Sequence, residues 1–152
     1  MDIQRIHREV ADAAASFALV EAHSTREGGI YVKAGLRTSA GNAYVASVLF
    51  PNYPSEMPRV FITKPDIQPL GNHIYRDGHL CLMRPNFWNP GRHNLTFVLQ
   101  RTAKWLNKYG IPGERPLAGR GAAALMTLDF GLLSMSALWN EPGEMLQRAE
   151  RA

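Results

Sequence analysis

Ile3, Ile6, Val10, Ala13 and Phe17 recur at steps of three and four, while Gln4, Arg5, His7, Arg8, Glu9 and Asp12 fall on the opposite face. That spacing predicts an amphipathic helix, with Asp2 placed to cap its amino end. Phe17 to Ala22 turns apolar and starts a strand. Ile30, Val32, Ala34 and Leu36 then alternate with Tyr31, Lys33 and Arg37, the period-two pattern of a half-buried strand. Tyr44 to Phe50 is a third β-rich run, and Val60 to Thr63 a short fourth. The turns at 24–29 and 39–42 are short, so the four strands read as an antiparallel meander with one face available to the helix.

A second helix is predicted from Leu95 to about Tyr109, capped by Asn94 and stopped by Gly110. Leu95, Val98, Leu99, Thr102, Trp105 or Leu106, and Tyr109 line its apolar face. Arg101, Lys104, Asn107 and Lys108 line the other. Ala122 to Leu138 has helical composition weakened by Gly131, and Glu141 to Ala152 reads either as a short last helix starting at Pro142 or as a frayed end.

The stretch between the fourth strand and the second helix has no such period. Three prolines within Pro51–Pro58 exclude helix and central strand and set an extended connection. Lys64 to Gly78 is a long loop, a class that in compact domains is commonly functional. Asp77-Gly78 is a turn dipeptide that delivers His79-Leu80-Cys81-Leu82 in extended form. Leu80 and Leu82 then point one way and Cys81 the other. Pro85 to Gly91, with Trp88-Asn89-Pro90, is a second irregular stretch.

Composition narrows the class. The 152 residues suit one domain spanning 1–152, with 45% hydrophobic and 20% charged residues typical of a soluble globular protein. Cys81 is the only cysteine, so no internal disulfide forms, in keeping with a reducing compartment. The charged start of the chain is no signal peptide, and no run approaches the roughly 18 apolar residues of a membrane span. A cytoplasmic location without membrane association is expected. The net charge of +4 is spread along the chain, which predicts a mixed solvated surface rather than a nucleic-acid arm. His73, His79, His93 and Cys81 do not have zinc-ligand spacing, so no metal or cofactor is expected. A lone cysteine is by default an inert core residue; its setting decides otherwise.

Several segments carry a resemblance. Gln4 to Glu9, Phe50 to Pro58 (FPNYPSEMP), Gly78 to Leu82 (GHLCL), Trp88-Asn89-Pro90 and the helix after Asn94 resemble, in order and spacing, the ubiquitin-conjugating enzyme family over Met1 to about Leu117. The resemblance implies an α+β fold: an N-terminal helix, a four-stranded antiparallel meander, a long active-site loop, a central helix and C-terminal helices. It implies that Cys81 accepts a ubiquitin-like protein as a thioester from an activating enzyme and passes it to an amine of a protein target. His-Pro-Asn usually precedes the family's cysteine. Here His73-Ile74-Tyr75 stands there without the asparagine, which makes His73 and Tyr75 the leading candidates to hold the oxyanion. His79 is a candidate to favour the thiolate, Asn89 a further donor, Trp88 a packing anchor, and Glu114 a loose match to the family's acidic residue beyond the cysteine. Arg5, His7 and Arg8 on the first helix, with Tyr53 and Met57 of the Pro-rich turn, are the expected partner-binding residues. The departures resemble a bacterial member from an antiphage operon. The competing reading is a non-catalytic binding module on the same scaffold, in which Cys81→Ala would leave function intact. A cysteine hydrolase, needing His and an orienting acid around Cys81, is the third.

Overall fold

The computed structural model describes residues 1–65, 67 and 73–109. Helix α1 runs from Ile3 to Ala13, and the Asp2 carboxylate accepts from the Arg5 N–H at 2.9 Å, as its capping position requires. Ile6 and Ala13 are buried and Val10 packs on the core, whereas Ile3 stays 45% exposed.

Four strands follow: β1 (Leu19–Ser24), β2 (Ile30–Arg37), β3 (Ala43–Leu49) and β4 (Arg59–Lys64), in the antiparallel order β1-β2-β3-β4. The register aligns Val32 with Val48, Ala34 with Ala46 and Leu36 with Tyr44, then Val48 with Val60 and Ala46 with Ile62. These rows form one apolar face. Against it lies helix α2, Leu95–Tyr109, whose Leu95, Val98, Leu99, Trp105 and Leu106 join the same core. Both Trp105 and Leu106 are buried, so the apolar stripe is wider than a single row. Asn94 caps α2 by accepting the Phe97 N–H at 2.9 Å. The β3–β4 register slips between Val45 and Ala46, and the Thr63 hydroxyl donates to the Val45 carbonyl at 3.1 Å beside the slip.

Two expectations are corrected at the junction of α1, the Pro-rich turn and α2. Glu9 is buried rather than solvated. Its carboxylate accepts from the Tyr53 hydroxyl, from the Leu95 N–H at 2.6 Å and from Arg5 Nε at 2.5 Å. Helix α1 lies against α2, so a carboxylate here takes one of the unpaired N–H groups at the positive end of α2. Tyr53, expected on a partner surface, is only 2% exposed. Its ring packs edge-on against Phe50 and beside Trp88. Burial and the bond to Glu9 push its phenol pKa up, so it stays a neutral donor. The peptide bonds before Pro54 and Pro65 are cis.

The long loop also ends differently from expectation. Ile74 pairs with Leu80 in an antiparallel bridge, so the last part of the segment is a hairpin. Gly110, Glu114 and the helices expected over 122–138 and 141–152 lie outside the described residues.

Candidate functional site

The hairpin is built by its backbone. Tyr75-Arg76-Asp77-Gly78 forms the turn, with the Gly78 N–H donating to the Tyr75 carbonyl at 2.9 Å. Gly78 has φ +98°, a left-handed conformation that glycine adopts without penalty. The Tyr75 N–H donates to the His79 carbonyl, and the Cys81 N–H to the His73 carbonyl, both at 2.9 Å. One side of this hairpin is hooked to β4, where the Leu80 N–H donates to the Val60 carbonyl at 2.8 Å. The other side is tied to α2. Trp105 Nε1 donates to the His73 carbonyl at 3.2 Å, and Arg101 Nη2 to the Leu82 carbonyl at 2.9 Å. The Cys81 segment is thus held by a main-chain bond to the sheet and by two side-chain donors from the helix.

Side-chain alternation does the rest. Leu80 is 1% exposed and Leu82 8%, while Cys81 is half-buried on the opposite side. The Cys81 thiol donates to Tyr75 Oη at 3.8 Å. The hydrogen bond with Cys81, then burial, then the charge Cys81 carries when ionised raise the Tyr75 pKa, so the phenol keeps its proton beside the sulfur. The Tyr75 ring stacks on His79, with centroids 4.2 Å apart and planes 18° from parallel. His79 Nδ1 bonds in turn to the Asp77 carboxylate, which also accepts the His79 N–H at 3.1 Å and faces Arg59 Nη1 at 3.5 Å. Burial pushes the His79 pKa below its ordinary value, and Arg59 pushes the same way against the pull of Asp77. Burial disfavours the Asp77 carboxylate, but the His79 backbone and ring bonds outweigh it and hold its pKa low.

The other expected residues divide. The His73 ring turns to stack on Tyr109 at 3.9 Å, and only its carbonyl serves the cysteine segment. Trp88 is a buried anchor whose Nε1 donates to the Pro54 carbonyl at 2.8 Å. Asn89 organises the turn into α2: its Oδ1 accepts the Gly91 N–H at 2.9 Å, and its own N–H donates to His93 Nδ1 at 3.0 Å. The His93 ring stacks on Phe97, so the three histidines near the cysteine have separate partners. Among the described residues no cluster of His, Cys, Asp or Glu is arranged to hold a metal ion.

On α1, His7 and Arg8 are exposed. Arg5 is not on that surface. Its guanidinium bonds Glu9 and donates to the carbonyls of Pro90 at 2.7 Å and His93 at 3.0 Å, with the Tyr53 ring beneath it. Met57 is half-buried against the core. Asp77 and Arg101 are the residues that sequence reasoning missed. The turn dipeptide Asp77-Gly78 marked the position of Asp77 but not its bond, and Arg101 sits on the polar face of α2, where solvation is the default reading.

No helix among the described residues is long and apolar enough to cross a membrane. No curated protein matches the chain. A family model described as type II CBASS E2 protein matches residues 9–111. That span takes in the whole sheet, the Pro-rich turn, the Cys81 hairpin and α2. It covers more than half of the sequence, and the chain therefore belongs to the type II CBASS E2 family, E2-like proteins of bacterial antiphage defence.

Proposed function

We propose that this protein is a conjugating enzyme that carries a ubiquitin-like protein as a thioester on Cys81 and transfers it to an amine of a protein target in the bacterial cytoplasm. The observation that supports this reading most is the Cys81 sulfur, half-exposed on a segment pinned from both sides, with a protonated phenol 3.8 Å away. Loading begins when the Cys81 thiolate attacks the thioester carried by an activating enzyme. The new carbon–sulfur bond replaces the old one, so the step is close to energetically neutral. The exchange needs only a small thiolate fraction, since a free cysteine in water, roughly a few per cent ionised at pH 7, already undergoes it. The exposed His7 and Arg8 of α1 are the docking residues for that enzyme, while Arg5 holds the helix in place beneath them.

Transfer begins when an amine attacks the thioester carbon and negative charge develops on its oxygen. A carbonyl bonded to Cys81 Sγ lies within reach of Tyr75 Oη. Once the sulfur is acylated, the thiol proton is gone and the phenol hydrogen is free to bond the oxyanion. Tyr75 thereby does the work of the asparagine that the ubiquitin-conjugating family usually supplies. The His73 ring, stacked on Tyr109, is assigned to holding the hairpin instead.

The test is reconstitution with the cognate activating enzyme, ATP and modifier. A thiol-sensitive adduct and amine-linked products, both lost in Cys81→Ala, are expected. Antiphage protection that survives Cys81→Ala would favour a binding module instead.

A further inference from the structure

The attacking amine must lose a proton before the product amide is stable, and neither Cys81 nor Tyr75 is a base suited to take it at neutral pH. The hairpin carries one group that is. Asp77 is held in its ionised form, so it only accepts hydrogen bonds, and the His79 nitrogen bonded to it, Nδ1, must carry the hydrogen. In the neutral ring this leaves the lone pair on Nε2. That nitrogen has no hydrogen-bond partner among the described residues, and the His79 side chain keeps 17% of its surface exposed. His79 lies two residues before Cys81, on the same side of an extended segment, and its ring rests on the Tyr75 ring whose hydroxyl touches the sulfur. The imidazole is thus fixed in tautomer by Asp77 and fixed in plane by Tyr75 and by edge contact with Phe61, on the side of the segment that carries the sulfur.

We propose that Asp77 and His79 form the proton-accepting dyad of the transfer step, with His79 Nε2 taking the proton from the amine that attacks the Cys81 thioester. The inference rests on Cys81 being an acyl carrier. As the carbon–nitrogen bond forms, the carbonyl electron pair moves onto oxygen and the amine proton passes to Nε2. As the tetrahedral intermediate collapses, the carbon–sulfur bond breaks and the electron pair leaves with sulfur. The imidazolium then returns its proton to the thiolate or to water, and no further reactant is needed. The charged and titratable groups facing His79 are Asp77, Arg59, Tyr75 and Cys81.

Because Cys81 is the only cysteine, it can be acylated by exchange with a fluorescent peptide α-thioester ending in glycine, without an activating enzyme. Discharge to methoxyamine, a weakly basic nucleophile, is then followed across about pH 5 to 8, where an imidazole titrates, per loaded molecule and per uncharged amine, so that neither poorer loading nor the amine's own protonation enters the rate. The wild-type rate should rise with pH through a single ionisation in that range. His79→Gln should discharge about a hundredfold more slowly at the plateau and without that ionisation. Asp77→Asn should lower the plateau and move the inflection to lower pH, because the carboxylate that favours the imidazolium is gone. A merely structural role for His79 would not move the inflection. A His79→Gln protein that follows the wild-type pH curve and rate overturns the dyad. A wild-type protein that fails to exchange with the peptide thioester overturns the carrier reading and the dyad with it.

Discussion

Two polar clusters of this protein contain similar residues and do opposite things. Around Glu9, a buried carboxylate, a buried phenol and a part-buried guanidinium satisfy one another: Tyr53 and Arg5 donate, the Leu95 N–H donates, and Arg5 reaches on to two carbonyls before α2. Around Cys81, a carboxylate, a phenol and an imidazole meet at the surface and leave capacity unused. Tyr75 is 38% exposed and the second ring nitrogen of His79 has no partner among the described residues. Saturated bonds in a largely buried site fix geometry, whereas unsaturated ones beside a half-exposed sulfur are available to a substrate. The Glu9 cluster therefore reads as architecture and the Cys81 cluster as chemistry.

The sharpest way to break that division is Glu9→Ala. It leaves the Tyr53 phenol and the Leu95 N–H in the interior without their acceptor and takes from the part-buried Arg5 its carboxylate partner, and should cost about 3–5 kcal/mol in urea unfolding. A loss below about 1 kcal/mol would show that water replaces the carboxylate and that the cluster is not architectural. Tyr75→Phe should give the complementary result. It removes the proposed oxyanion donor, so discharge of the loaded thioester should slow by about 10²–10³, while unfolding stays within about 0.5 kcal/mol of wild type. Arg101→Ala tests where the regions meet, because its guanidinium ties α2 to the Leu82 carbonyl just past the cysteine. Loss of a charged donor there should cost about 1.5–3 kcal/mol, read by the same unfolding experiment.

The smallest effect is in the pH dependence of stability. Both His79 and Asp77 have folded pKa values below their ordinary ones. Each therefore adds stability that is complete above its ordinary value and is lost as pH falls through its lowered one, because the unfolded chain takes up the proton first. Melting temperature should decline below the ordinary imidazole range through His79 and again in the carboxylate range through Asp77. Asp77→Asn should remove that residue's share of the second decline. A melting temperature that rises on acidification would contradict the assignment.

These clusters also mark where the sequence was legible. The 3.6-residue period placed α2, and the two-residue period placed β2, because apolar burial sets both patterns. Asp2 and Asn94 were readable as caps since their role is local. Glu9 was not readable. Four residues after Arg5, it has the spacing of an exposed helix pair, and only the crossing of α2 makes its site interior. Tyr53 misled for the same reason, as its motif position says nothing of a partner 44 residues away in the chain. At the site, alternation correctly set Cys81 against Leu80 and Leu82. The pairing of Ile74 with Leu80 had a weak signal, two apolar residues flanking a turn that ends in glycine. The Asp77–His79 bond had none, because it depends on the turn's three-dimensional path.

The central claim is that Cys81 carries the acyl group, and intact-mass spectrometry of the protein after reaction with the cognate activating enzyme, ATP and modifier tests it most directly. The account predicts one modifier per chain, released by neutral hydroxylamine or excess thiol, and none on a Cys81→Ala protein that melts like wild type. A chain that gains no mass, or a Cys81→Ala chain that gains the same mass, would contradict it.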